Sequence, residues 1–342
     1  MSVLNWGIIG LGKIANKFAS GFDQLKNSRL YSLASKNREN LEEFQKKYNV
    51  NKSLCYNNYE DMLLNENLDI VYIALPNNLH SEWINKCIEY NKNVLVEKPA
   101  VLTEDEIKNI INKLNNKKIF FAEGFMYRFH PQTLKFIEII NQNEIGKLIK
   151  MESSFGINVI NKKNIFGFVK EKINTKSRLF KKELGGGSIL DLGCYPASLS
   201  ILIASLKSEE FNKEIKLMDT NNLMGPTDVD LEGFTKINFG NGFISTVKSS
   251  FKNELGKVTK IYGSKGEIII PDTWHCLNSS IIVKGKEIKI DQLYRNIFSY
   301  EIESISDSIL NGELIPKFPA VKKEETAINI SILNQWINSN EK

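Results

Sequence analysis

The 342-residue chain is poor in the residues that build metal sites and disulfide frameworks, with three histidines and four cysteines. Cys55, Cys87, Cys194 and Cys276 form no C-x-x-C pair and no metal spacing. Neither a zinc module nor a secreted disulfide scaffold is therefore expected, and no metal is assigned. That cysteine usage fits a reducing cytoplasm. No apolar run approaches the length that crosses a bilayer. The apolar start at Val3 is broken by Asn5 and three glycines and lacks a basic leader and a cleavage site, so it reads as a strand rather than a signal peptide. Blocks of one charge are missing too. The formal charge is +5 with scattered lysines, which argues against nucleic acid or an anionic membrane as a partner. No internal repeat or low-complexity tract stands out.

What remains is 42% apolar and 25% charged residues, enough for sizeable cores in a chain longer than one core usually supports. Two domains are expected, 1–123 and 124–342. The opening run Val3 to Ala15 reads as a buried strand through Ile9 that enters a glycine turn and then a helix. Gly10, Gly12 and Ala15 have the G-x-G-x-x-G/A spacing of a dinucleotide-binding bend, with Lys13 and Ile14 at the start of the helix counted among the cofactor contacts. Glycines also punctuate ordinary turns. Here the strand before them and the helical pattern Ile14, Phe18, Phe22 after them favour a phosphate at the positive end of a helix.

A second strand, Leu30 to Ala34, ends where a carboxylate would bind an adenosine ribose and select NAD. The run found there is Ser35-Lys36-Asn37-Arg38, with no acid before Glu39. A hydroxyl, an ammonium and a guanidinium suit a 2′-phosphate, so NADP is favoured over NAD, although bases after a strand are often merely solvated.

Asp69 to Leu75 reads as a strand buried on both faces, followed by Pro76-Asn77-Asn78-Leu79-His80 at a helix start. This loop should face the cofactor. Asn77 fits a cofactor contact or a helix cap, and His80 a contact or an ordinary first-turn histidine. Another strand ends in Glu97-Lys98-Pro99, where Pro99 suits an unusual bend, including a cis bond. A charged pair closing a buried strand is costly unless paired or useful, so Lys98 fits either a salt bridge or a catalytic role. Thr103 and Glu106 form a capping box. The alternation of strands and helices implies an α/β fold with an N-terminal doubly wound parallel sheet.

In the second half, residues 160–184 are lysine- and asparagine-rich with isolated Phe166, Phe168 and Phe180, and read as a long loop over the substrate. Gly185 to Ser188 lead into a helix on which Asp191 and Tyr195, four apart, share a face. Taken alone, such a pair is more often a solvated helix surface. As chemistry, it suits proton transfer, because a nearby ammonium lets a phenol that ordinarily titrates near 10 work as an acid-base group. From Ile215 the pattern turns to period two, with Gly240-Asn241-Gly242 as a hairpin turn, giving an α+β domain whose mainly antiparallel sheet leaves one face open. Ile297 to Leu310 and Glu324 to Ile337 read as closing helices. Trp274 and His275 receive no assignment.

The glycine turn, P-N-x-x-H and E-K-P, then Glu123-Gly-Phe-Met-Tyr-Arg-Phe-His-Pro131 and Gly185-Gly-Gly-Ser-Ile-Leu-Asp-Leu-Gly-Cys-Tyr-Pro196, together resemble the glucose–fructose oxidoreductase, inositol dehydrogenase and rhizopine catabolism (Gfo/Idh/MocA) family. The G-G-G…D-x-G-x-Y pattern is similar to the branch of dihydrodiol and D-xylose dehydrogenases. The resemblance implies hydride transfer between NADP(H) and a secondary alcohol or ketone of a sugar, sugar derivative or cyclic diol. It assigns Lys98 and Tyr195 as the catalytic pair with Asp191 orienting them, and adds Glu97 and Arg128 to the cofactor contacts. Many relatives carry histidine where Tyr195 stands, so this chain falls in a tyrosine branch. It also implies a homodimer or homotetramer through the open sheet face. Two alternatives stay open. One is a nucleotide-sugar ketoreductase, with Lys162, Lys163, Lys170, Lys172 and Lys176 binding a diphosphate; the other is a nonenzymatic NADP(H) sensor.

Overall fold

The computed structural model describes residues 2–163, 169–171, 173–208, 211–212, 214–277 and 279–339, with 161–163 and 169–171 given by backbone alone. The chain forms two compact units, Met1–His130 with Gln292–Ala327, and Pro131–Asp291 with Ile328–Lys342. Set beside the expected division at residue 123, Gln292–Ala327 packs with the first unit rather than the second.

In the first unit, β1 (Leu4–Ile9), β2 (Ser28–Ala34), β3 (Cys55–Tyr56), β4 (Ile70–Ile73), β5 (Asn93–Glu97) and β6 (Phe121–Gly124) form one parallel sheet in the order β3-β2-β1-β4-β5-β6. That order reverses between β1 and β4, the place where a doubly wound sheet opens a crevice at its carboxyl ends. The crossovers are α1 (Lys13–Ala19), α2 (Arg38–Tyr48), α3 (Tyr59–Leu63), α4 (His80–Glu89) and α5 (Glu104–Asn115). All four residues of β4 are buried, as helices on both faces require. The capping box at Thr103 and Glu106 is formed, which fixes where α5 begins.

In the second unit, α6 (Pro131–Asn141) leads to β7 (Leu148–Gly156), then the short ladder of β8 (Asn161–Lys163) and β9 (Val169–Glu171), and then α7 (Cys194–Lys207). The ladder falls in the stretch expected as loop. The strands β10 (Lys216–Met224), β11 (Asp230–Asn238), β12 (Ile244–Ser250), β13 (Thr259–Gly263), β14 (Gly266–Ile270), β15 (Ser280–Val283) and β16 (Lys286–Lys289) follow. The large sheet runs β10-β11-β12-β7-β13-β14-β15-β16 and is antiparallel except where β7 pairs with β12. Gly240 and Gly242, at φ +71° and +77°, make the β11–β12 turn that only glycine adopts without strain. One face of the sheet packs against α7, while Lys150, Glu152, Lys236, Lys248 and Lys260 lie exposed or half-buried on the other.

The chain then forms α8 (Ile297–Leu310) in the first unit and α9 (Lys323–Asn338), within which the unit boundary falls. Trp6 Nε1 donates to Ser306 Oγ at 2.9 Å and the Phe18 ring meets Phe298, so α8 closes the core beside β1. One expectation needs correction. The helical stretch Lys182–Lys207 is long and apolar enough to cross a membrane by length and composition, but 83% of its apolar window is buried inside the protein, so it is a core helix.

Candidate active site

The glycine turn has the form a pyrophosphate needs. Gly10 has φ +87°, and a Cβ there would come within 2.7 Å of the Ala74 carbonyl oxygen, so the bend excludes any side chain. Gly12, the N-cap of α1, has no heavy atom of the other described residues, its chain neighbours aside, within 4 Å of where its Cβ would project. Open space therefore lies beside the first amides of the helix, those of Lys13 and Ile14, which have no side-chain cap. The β2 loop lies alongside: Gly10 N donates to Ala34 O at 3.1 Å, and Asn40 Nδ2 to Leu11 O at 3.1 Å. In that loop Ser35 is buried and its hydroxyl accepts from Asn37 N, while the Lys36 ammonium lies 5.6 Å from the Tyr59 ring centre. The Arg38 side chain is 82% exposed and, among the described residues, paired only with Glu42, a surface contact easily exchanged for a phosphate.

At the carboxyl end of β5, the turn bearing Lys98 is braced on each side. Tyr72 Oη donates to Glu97 Oε1. Lys98–Pro99 is a cis peptide bond, and Ala100 N donates to Glu123 Oε1 at 2.9 Å. His80 is fully buried, with Nδ1 2.9 Å from Pro99 O and Nε2 2.9 Å from Leu75 O. Both partners are acceptors, so a neutral ring can satisfy only one of them and the imidazolium satisfies both. His80 thus ties the end of β4 to the end of β5, and Asn77, also buried, opens the 3₁₀ turn before α4. Lys98 itself is half-buried at the centre of this bracing.

Buried acids surround the same strand ends, and the sequence reading did not single them out. Burial pushes the Glu123 carboxyl up to about 7, although Ala100 N and Thr326 Oγ1 donate to it. Burial, reinforced by the neighbouring Glu97, holds the Glu301 carboxyl well above its usual range. Among the described residues, neither Glu301 oxygen has a hydrogen-bond partner. Arg128 is fully buried, with its guanidinium donating to Tyr127 Oη at 3.2 Å and Pro319 O at 3.1 Å and lying 3.4 Å from Glu325 Oε2. Its charge is engaged inside the first unit.

In the second unit, a π-helical turn, Ile189–Gly193, precedes α7 where a regular helix was expected. Such turns are frequent at functional sites. Asp230, 2% exposed, holds this start: its Oδ2 accepts from Ser188 Oγ and from Ile189 N, both at 2.7 Å. Burial pushes its carboxyl up to about 6 against those bonds. Asp191 accepts from Arg178 Nη2 at 3.1 Å. Tyr195, 7% exposed, stands with its ring 5.3 Å from Phe155 and 5.7 Å from Trp274, and Phe155 also meets His275 at 5.8 Å. Trp274 and His275, unassigned from sequence, therefore belong to the surroundings of Tyr195. Among the lysines considered for a diphosphate, Lys172 and the side chains of Lys162, Lys163 and Lys170 lie outside the described residues, as do Phe166 and Phe168; Lys176 is exposed.

The chain as a whole is similar to known proteins. Residues 4–125 match the model of an oxidoreductase family with an NAD-binding Rossmann fold (GFO_IDH_MocA), and residues 133–269 match the C-terminal domain of the same family. The chain is 25% identical over 343 residues to the trans-1,2-dihydrobenzene-1,2-diol dehydrogenase of Xenopus tropicalis, covering 96% of each protein. It is 25% identical to a D-xylose 1-dehydrogenase (NADP(+)) of Haloferax volcanii, covering 77% of this chain and 74% of the relative. The aldose-aldose oxidoreductase of Caulobacter crescentus, solved with glycerol, has the same fold, with a TM-score of 0.84, 20% identity and coverage of 99% of this chain and 98% of that one.

Proposed function

The chain belongs to the GFO/IDH/MocA oxidoreductase family, and on that premise we propose that it moves hydride between NADP(H) and a secondary alcohol or ketone carbon of a sugar, sugar derivative or cyclic diol. When bound, the nicotinamide takes or gives the hydride while the carbinol C–H and O–H bonds break or form. The protein's part is position and proton transfer. Tyr195 takes the hydroxyl proton in oxidation and returns it in reduction. Lys98 hydrogen-bonds the same substrate oxygen and stabilises negative charge there, and Asp191 orients the hydroxyl. Gly10, Gly12, Lys13 and Ile14 hold the pyrophosphate, with Asn77, Glu97, His80 and Arg128 shaping the rest of the cofactor site, the last two through the backbone they brace.

The observation that carries this reading is the helix opened by Gly185–Gly187, where Tyr195 is sheltered by Phe155 and Trp274 and Asp191 is held one turn before it. The choice of NADP is supported by the exposed Arg38 and Lys36 and by the absence of an acid between Ser35 and Arg38. The test is a panel of aldoses, ketosugars, anhydrosugars, cyclic diols and nucleotide sugars, assayed by nicotinamide absorbance with both cofactors. Turnover of free sugars or diols with NADP is expected. Silence across the panel would refute the enzyme, preference for NAD would refute the cofactor choice, and turnover restricted to nucleotide sugars would refute the substrate class. The same reading places the protein in the cytoplasm as a homodimer or homotetramer paired through the open sheet face, which light scattering would check.

A further inference from the structure

Arg178 comes from the lysine-rich stretch that the sequence offers only as loop, yet its placement is built rather than incidental. It opens a 3₁₀ turn, Arg178–Phe180, capped by Ser177, whose hydroxyl accepts from Leu179 N. Two bonds of 3.0 Å fasten that turn to the glycine corner: Gly186 N donates to Lys181 O, and Gly187 N to Leu179 O. A Cβ on Gly186 would lie 2.7 Å from Leu179 O and 2.9 Å from Arg178 O, so no side chain fits where the two segments touch. Phe180, 3% exposed, packs its ring against Phe251. From this fixed base the guanidinium reaches Asp191 Oδ1 at 3.1 Å, where the carboxylate is 15% exposed and the arginine 45%.

We propose that Arg178 is a positioning residue of the reaction site, holding the Asp191 carboxylate in place one helical turn before Tyr195. The inference rests on the function proposed above. An arginine stays charged at any working pH, and its planar fork fixes the direction of a carboxylate as a lysine cannot. Asp191 stands in the π-helical turn with its own amide donating to Gly187 O at 3.1 Å, so its backbone is fixed, and the guanidinium adds a bond that fixes the carboxylate. Gly185–Gly187 thus serve two segments at once, the start of the Tyr195 helix and the seat of Arg178.

The test is a double-mutant cycle of R178A, D191N and the pair, with R178A also assayed in millimolar guanidinium, on the best substrate from the panel. Losing a charge-assisted bond to a reaction-site carboxylate is expected to lower kcat by about 10- to 100-fold in R178A, at unchanged NADPH affinity measured by fluorescence. Added guanidinium should restore part of it, because the site is half-open. In the D191N background, R178A should cost less than about twofold, since the arginine acts only through the carboxylate. An R178A enzyme within twofold of wild type, additive losses, or a loss that guanidinium leaves untouched would overturn the proposal. Should R178A fail to fold, R178K takes its place in the cycle, with partial activity expected and additivity again fatal. Y195F run in parallel separates the two levels: full turnover in Y195F removes the underlying mechanism, whereas a dead Y195F beside an unaffected R178A removes only the clamp.

Discussion

Asp230→Ala offers a sharp test of how the Tyr195 helix is held. The carboxyl is 2% exposed and accepts two bonds of 2.7 Å, from Ser188 Oγ and Ile189 N. Removing it takes the acceptor from the buried Ile189 amide, at about 1–3 kcal/mol, while the Ser188 hydroxyl keeps Ser249 Oγ at 3.0 Å. The same carboxyl is pushed by burial from 3.8 up to about 6. A raised folded-state value means the group's favourable contribution is full below 3.8 and is lost as pH rises through 6. The wild type therefore pays an ionisation penalty at neutral pH that the alanine variant does not. The destabilisation by D230A should accordingly be larger at pH 5 than at pH 8, by about 1–2 kcal/mol for a group with this shift. Paired urea titrations of wild type and variant at the two pH values measure it, because the other titrating groups cancel in the difference. A destabilisation that is independent of pH, or that grows toward pH 8, would show that Asp230 works as an ordinary carboxylate and refute the reasoning.

The two glycines of the phosphate turn should separate fold from ligand. Gly10→Ala meets both a positive φ and a backbone oxygen at 2.7 Å and should cost at least about 2 kcal/mol of stability. Gly12→Ala projects into open space and should keep its melting temperature while losing at least about tenfold in NADPH affinity; equal effects of the two on stability would contradict this. Ser35→Asp places an acid where a ribose would be bound and should move the kcat/KM ratio toward NAD, and an unchanged ratio would argue that the β2 loop does not read the 2′ position. Glu301→Gln replaces a buried acid, unpartnered among the described residues, with a neutral isostere. Its urea midpoint should exceed that of the wild type more at pH 9 than at pH 6, because a carboxyl held well above its usual range loses its contribution as pH rises.

The first sheet was largely legible because its information is local. The continuous apolar run at Ile70–Ile73 and the glycine bend after Ile9 each carry their own signal, and the alternation of elements sets a parallel sheet. The second sheet was legible as hairpins but not as an order. Nothing local in Leu148–Gly156 says that it lies parallel to Ile244–Ser250 and splits the expected meander, since that pairing joins strands about ninety residues apart. The site divides in the same way. Lys98, Asp191 and Tyr195 stand in spaced motifs, whereas Arg178, Asp230, Trp274 and His275 reach the second unit's site only through long-range contacts, so their residue types carried no signal. Glu123 was the exception that could have been found, as an acid closing the apolar run Ile119 to Ala122.

The most direct test of the proposed chemistry is the turnover of Tyr195→Phe on the best substrate of the panel, measured beside its NADPH affinity. Removing one hydroxyl should leave the cofactor bound as tightly as in the wild type and lower kcat by about 10²- to 10⁴-fold, the range for loss of a general acid-base group. Turnover within a few-fold of wild type would show that Tyr195 moves no proton and would contradict the mechanism.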